Sequence, residues 1–385
     1  MAKWQQIKIG DVCVVERGGS PRPIDKFITE DENGINWIKI GDTTESMYIT
    51  KTAQKIIPEG VKKSRLVDSG DFLLSNSMSF GRPYILNIDG CIHDGWLVLR
   101  DKDNLFDKHF LYYCLSSQTT YTKFKSMAVG GVVNNLNSEM VRNVQIPLPP
   151  LNEQRKIAAV LDKVSDLIAK RRQQLDKLDE MVKARFVEMF GQTKDMIRLE
   201  EYATLITKGA SPKWQGIEYI ESGTLFITSE NVREGYLDLS KRKYLDSQIN
   251  LVQPRSILKK GDILINIVGT SIGRAAIYDI EDLANINQAV ALVRVKSNML
   301  NTKFLLTYLN SSQALELYDR MKKGGARDNL SLKNISDLLI PKTPLNLQNH
   351  FSVFVEQTEK TKVTISRSLD KLETLKKALM QEYFG

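Results

Sequence analysis

This chain is written twice. The segment LDKLDEMVKARFVEMFG, Leu175 to Gly191, returns as LDKLETLKKALMQEYFG, Leu369 to Gly385, with nine of seventeen positions identical at an offset of 194. At that offset IPLPPLNEQ (Ile146 to Gln154) returns as IPKTPLNLQ (Ile340 to Gln348), and Asn135-Leu136 as Asn329-Leu330. Earlier in each half, RGGSP from Arg17 matches KGASP from Lys208, and GDFLL from Gly70 matches GDILI from Gly261, both at an offset of 191. The offset drifts by only a few residues, so the halves differ by small loop insertions. Two similar units on one chain imply a partner with two similar parts.

The 385 residues suffice for two globular units, and 42% hydrophobic content gives each a core of its own. No apolar run reaches the length of a membrane span, and MAKWQQIKIGD at the start does not have the form of a signal peptide, so a cytoplasmic protein without membrane association is expected. Cys13, Cys91 and Cys114 all lie in the first half, form no CxxC pair and have no equivalents in the second, which reads as small core residues rather than disulfide or metal chemistry. The formal charge of +8 fits a polyanionic partner. No basic tail carries it, so specific loops are expected to present it.

Short apolar runs such as WIKI (Trp37 to Ile40), FLLS (Phe72 to Ser75) and GWLVLR (Gly95 to Arg100) alternate with Gly, Asp and Asn turns, the pattern of short strands. FLYYCLSS from Phe110 and FLLTYLNS from Phe304 read as one helix per half. Each globular part is therefore expected to be α+β, with a mainly antiparallel or mixed sheet. Pro147 to Leu151 interrupts regular structure, and Asn152 is the expected cap of a helix running without Pro or Gly to Gly191. Gly191 and Gly385 are expected to end the two long helices in the left-handed conformation.

Within the first helix Val164, Ile168, Leu175, Leu178, Val182 and Met189 recur in alternating steps of three and four, with Arg171 and Arg185 filling the remaining slots. The second copy places Ile365, Leu369, Leu372 and Leu379 in the same seam, together with Thr358, Lys362, Lys376 and Tyr383. This is a heptad seam. The first helix delivers the chain to the second half; a second helix packed on it must run back. The expected fold is thus two tandem α+β units separated by two long helices in an antiparallel coiled coil, pseudo-two-fold symmetric, each helix spanning roughly 55 Å.

The enzyme readings fail on the residues. An amino-methyltransferase needs an Asn/Asp-Pro-Pro-aromatic loop, whereas Pro149-Pro150 is flanked by Leu148 and Leu151. No Pro-Asp followed by Glu-x-Lys marks a metal-dependent nuclease, and VGTSIGR (Val268 to Arg274) lacks the Lys-Ser/Thr of a phosphate loop. His93, His109 and His350 share no repeat position. Neither catalytic nor metal-ligating residues are assigned.

Residues suited to reading nucleic acid do recur at matched places. The first half offers Ser20, Arg22, Asn76, Ser77, Ser79, Arg82, His93, Lys123, Lys125, Asn134 and Asn135. The second offers Lys208, Ser211, Lys213, Trp214, Asn266, Thr270, Ser271, Arg274, Asn287, Lys322, Lys323, Arg327 and Asn329. Arg and Lys donate to guanine or phosphate, and Asn and Ser meet adenine edges or backbone oxygens. Polar loops that differ between copies on a shared framework read as two related readers of different sequences.

The GGSPRP opening, WIKIGD, GDFLL, GRPYI and above all PLPPLNEQ followed by a long helix, twice over, resemble the specificity subunits of type I restriction-modification enzymes. The resemblance covers essentially the whole chain. It implies target-recognition domains at residues 1–151 and 192–345, spacer helices at 152–191 and 346–385, and a double-stranded DNA target in two parts. It places no cofactor on this chain: two modification subunits would carry S-adenosylmethionine and methylate adenine, and restriction subunits would use ATP and Mg. The second junction departs from the pattern, with Lys342-Thr343 in place of Leu148-Pro149 and Leu347 in place of Glu153. Two other readings are a coiled-coil scaffold that binds only proteins and the recognition portion of a fused restriction enzyme.

Overall fold

The computed structural model describes residues 4–76, 80–128, 135–322 and 328–385. Two compact units emerge: Met1–Arg172 with Arg367–Gly385, and Gln173–Ser366. The first is discontinuous in sequence and the second continuous, because the division cuts the two long helices, Leu151–Phe190 and Leu345–Phe384, rather than separating them from the globular parts.

In the first unit the five-stranded central sheet runs in the order Cys13–Arg17, Trp96–Asp101, Phe72–Ser75, Pro83–Leu86, Tyr48–Ile49. Only its last pair is parallel. The continuous apolar run Phe72 to Leu74 is what a strand buried on both faces requires. Phe72 and Leu74 join one core with Leu97 and Leu99, while Leu73 joins another with Tyr84, Trp96 and Val98. The period of two thus feeds two layers: helices on one face, and on the other a second five-stranded sheet containing Ile35–Ile38 and Gly90–Ile92 as a parallel pair.

The second unit repeats the plan with two four-stranded sheets. Ile263 and Ile265 face the helical core, and Leu264 and Leu292 the other layer. In both units an Arg of one strand closes on the Asp just before the neighbouring strand: Arg100 on Asp71 at 2.9 Å, and Arg294 on the buried Asp262 at 2.7 Å. Each sheet system is mixed but mainly antiparallel, as expected. The helical content differs from the expectation of one helix per half. Lys108–Ser116 is followed by Gln118–Ala128, and Thr302–Leu309 by Ser312–Met321. Ser311 caps the latter by accepting from the Ala314 N–H, so the serines that close the apolar run open a second helix.

The repeated PLN-x-Gln motif has a mechanical explanation. Gln154 and Gln348 are fully buried. Gln154 Oε1 accepts from the Asp107 N–H at 2.8 Å, and its Nε2 donates to the Leu105 and Pro149 carbonyls at 2.9 and 2.8 Å. Gln348 does the same with the Asn301 N–H and the Met299 and Thr343 carbonyls. Asp107 and Asn301 are themselves the caps of the helices Lys108–Ser116 and Thr302–Leu309. One carboxamide therefore fastens the start of each long helix to the cap of a globular one.

The other ends are fastened by aromatics. In the first unit Phe384 packs on Phe110, ring centroids 5.4 Å apart; in the second Phe190 packs on Phe304 at 4.8 Å. Each unit thus holds the start of one long helix and the end of the other. Burial of each such Phe stabilises its unit by about 1.5–3 kcal/mol.

Within the first unit Arg172 pairs with Glu373 at 2.8 Å, while the earlier Asp162 binds Tyr113, whose ring carries the later Lys376. Within the second, Asp179 pairs with Lys362, and the later Phe186 meets the earlier Phe351. In each unit the two helical segments run antiparallel. The seam positions Val164 and Ile168 are buried, and Leu175, Leu178, Val182, Ile365, Leu369, Leu372 and Leu379 are half-buried.

The helix ends depart from expectation. The first long helix begins at Leu151, with Asn152 exposed inside its first turn and the Pro150 carbonyl accepting from Glu153 and Gln154. Proline fixes φ near the helical value, so the Pro-Pro step itself sets the entry and leaves no role for an Asn cap. Gly191 and Gly385 are not left-handed; their N–H groups continue the helical pattern to Val187 and Gln381.

Candidate nucleic-acid interface

Five main-chain positions build the same frame in each unit. In the first, the Ser75 N–H donates to the Arg82 carbonyl at 3.1 Å, the Asn76 N–H to Gly95 at 3.0 Å, and the Leu136 N–H to Asn76 at 3.0 Å. In the second, Asn266 donates to Arg274 at 2.9 Å, Ile267 to Ala289 at 2.9 Å, and Leu330 to Ile267 at 2.9 Å. The loop after each buried strand is thereby tied both to the turn between the two sheets and to the segment that follows the helix pair. Gly18 and Gly209 explain the repeated Gly-x-Ser-Pro: a Cβ at either would collide with backbone, the His93 carbonyl in one unit and the Ile286 carbonyl in the other.

On this frame the first-half residues divide. Arg82 is exposed, its guanidinium 5.2 Å above the Tyr84 ring; Lys125 and Asn135 are exposed as well. Arg22 is 83% exposed and lies 3.7 Å from Asp94. Ser20 donates to Asp94 Oδ1 at 2.7 Å, and the buried Asn76 donates to the Asp94 carbonyl at 2.8 Å. Lys123 donates to the Gln145 carbonyl at 2.7 Å. Both ring nitrogens of His93 face backbone N–H groups, Ile40 at 3.1 Å and Gly95 at 2.7 Å, and burial pushes its pKa down. Asn76, Lys123 and His93 thus spend polar atoms on the protein. Ser77, Ser79 and Asn134 lie outside the described residues.

In the second half Lys208, Lys213, Thr270, Arg274 and Asn329 are exposed. Trp214, 81% exposed, stands at the apex of the turn Pro212–Gln215, which the buried Pro212 and Ile217 anchor. Ser211 and Asn287 are half-buried. Asn266 is fully buried, its Nδ2 donating to the Ser229 and Val232 carbonyls and to Ser271 Oγ. At the end of a buried strand its amide serves to hold the loops together. Lys322 pairs with Asp319. Lys323 and Arg327 lie outside the described residues.

Sequence reasoning passed over Asp94, where three of the first-half loops meet. Its carboxyl is held below the usual carboxylate range, chiefly by the Ser20 hydroxyl. Arg17 donates to its carbonyl at 3.0 Å. The signal was present: at an offset of 194 Asp94 is Gln288, next to the His93/Asn287 pair already singled out.

The family model for the type I restriction modification DNA specificity domain matches this chain twice, over residues 1–179 and 192–376. The chain belongs to that family. It is 23% identical over 417 aligned positions to the EcoBI specificity subunit of Escherichia coli, covering 99% of this chain and 85% of the relative. It is 22% identical over 403 positions to the MjaVIII specificity subunit of Methanocaldococcus jannaschii, covering 98% and 91%. Among solved structures, a chain of a type I R-M system described for its complex assembly and conformational transition aligns with a TM-score of 0.65 at 18% identity, over 99% of this chain and 97% of that one. The type I restriction-modification S subunit from M. genitalium aligns with a TM-score of 0.57 at 16% identity, over 100% and 96%. These likenesses are of fold. Among the described residues, no helix is long and apolar enough to cross a membrane.

Proposed function

We propose that this chain is the noncatalytic DNA-specificity subunit of a type I restriction-modification enzyme, each unit reading one part of a split double-stranded target. The observation that carries the reading is the repeated frame: matching main-chain bonds hold loops most of whose polar side chains differ between units, while Arg82/Arg274, Ser20/Ser211 and Asn135/Asn329 keep their type. A shared scaffold with unlike polar loops is what two readers of unlike half-sites require. The domain borders expected from sequence, 1–151 and 192–345 with spacer helices at 152–191 and 346–385, are retained as the functional division. The long helices would set the gap between half-sites and dock two modification subunits. Those subunits would hold S-adenosylmethionine and methylate adenine, and restriction subunits would hold ATP and Mg.

The test is co-expression with the cognate modification subunit, followed by sequencing of methylated adenines. The expected result is methylation at one bipartite sequence of fixed spacing. A protein-binding scaffold would give none, and a chain that supported methylation without sequence preference would remove the specificity role.

A further inference from the structure

The turns that leave the strands Gly90–Ile92 and Ala284–Ile286 share their anchoring and differ in one exposed side chain. Asp94 in the first turn corresponds to Gln288 in the second. Gly18 or Gly209 presses on the backbone just before that residue, and a main-chain bond holds the carbonyl just after it, Gly95 or Ala289. The Asp94 side chain is 43% exposed, and Gln288 is exposed. Backbone contacts therefore fix the position, and the side chain can vary without disturbing the frame.

Asp94 has acceptor capacity to spare. Ser20 occupies Oδ1, and the Arg22 guanidinium stands 3.7 Å from Oδ2, too far for a hydrogen bond. An anion on a surface that meets phosphates is repelled by them. Arg22 beside the carboxylate and Arg17 on its carbonyl lessen that repulsion, so the anion is tolerated there. On a base edge the groups that reward a carboxylate are amino groups, cytosine N4 foremost in the major groove. A carboxamide, with donor and acceptor side by side, matches adenine N6 and N7 instead.

We infer that Asp94 and Gln288 form one repeated specificity position, Asp94 accepting from a cytosine amino group in one half-site and Gln288 pairing with an adenine in the other. The inference rests on the proposed DNA-reading function. It is tested with the full chain and its modification subunit by comparing methylated sequences for the parent, Asp94→Asn and Gln288→Ala. Asparagine keeps an oxygen for Ser20 but places a donor where Oδ2 stood. The Asp94→Asn variant is expected to relax or change one base pair in one half-site, with discrimination there falling about tenfold or more. The other half-site and the spacing should be retained, and Gln288→Ala should act at one pair of that other half-site. An unchanged target in both variants overturns the inference. So does a loss spread evenly over all sequences, which would assign Asp94 to loop shape alone. If the parent itself directs no sequence-specific methylation, the DNA-reading function fails and this inference with it, an outcome distinct from any difference between variant and parent.

Discussion

Arg82 and Arg274 follow a left-handed glycine, Gly81 or Gly273, and close the same main-chain bond to the end of a buried strand, so their side chains leave the frame at matched points. Replacing either with Ala should weaken binding to DNA containing the target. If the guanidinium meets guanine, the loss is about 1–3 kcal/mol at one base pair of one half-site; if it meets phosphate, the loss is spread over all sequences and the salt dependence falls. Binding measured against single-base variants of the target at two salt concentrations separates the two. A second expectation at this scale concerns His93. Its ring faces two backbone N–H groups; the neutral ring accepts from one, and the imidazolium from neither. With burial depressing the folded pKa below the ordinary 6.5, the unfolded chain binds the proton more readily. The stability His93 supplies is then complete above about pH 6.5 and declines as pH falls below it. Denaturant unfolding between pH 7.5 and 5 should show this acid loss in the parent and less of it in His93→Gln; equal slopes would remove His93 as a contributor.

At the level of elements, the strongest prediction concerns the glutamine locks. Gln154→Ala removes a fully buried carboxamide and leaves the buried Pro149 carbonyl and the part-buried Asp107 N–H and Leu105 carbonyl without their partner. Each orphaned group costs about 1–3 kcal/mol, so a loss of several kcal/mol is expected, against no more than about 1 kcal/mol for Arg172→Ala, which removes only exposed ion pairs. Comparable losses in the two variants, read from unfolding midpoints, would show that the lock is not what fastens the helix. The long helices and their seam were legible in sequence because heptad spacing is local and both copies repeat it. PLN-x-Gln was visible as a motif but not as a lock, since two of the three partners of Gln154, Asp107 and Leu105, lie 47 and 49 residues away and nothing local announces them. The same limit explains the loops. Asn76 and Asn266 have the residue type of a base reader, yet the end of a strand buried on both faces needs an amide to satisfy neighbouring carbonyls, and only tertiary structure decides which use prevails. Two sheets per unit stayed hidden because the continuous apolar run in FLLS reports two buried faces without saying what covers each.

For the whole molecule, the proposed ruler makes a quantitative claim. The division between the compact units falls after Arg172 on one long helix and after Ser366 on the other. Inserting one heptad at each of these points keeps the seam in phase and adds about 10.5 Å to each helix. At 3.4 Å per base pair, the gap between half-sites should grow by roughly three base pairs, with the half-site sequences unchanged. Three base pairs also turn the second half-site by roughly a quarter of a helical repeat, so methylation at the new spacing is expected to be slower than at the parental one unless DNA or coil twists to compensate. Sequencing of methylated adenines in cells carrying the lengthened chain gives the new gap directly. Methylation confined to the parental gap would mean that the globular units reach their half-sites independently of helix length. The repeat would then record duplication of a reader without a built-in measure of distance. Loss of all methylation together with a folded, monodisperse protein would point the same way only if a matching series of targets, with gaps from parental to five base pairs longer, also failed to bind.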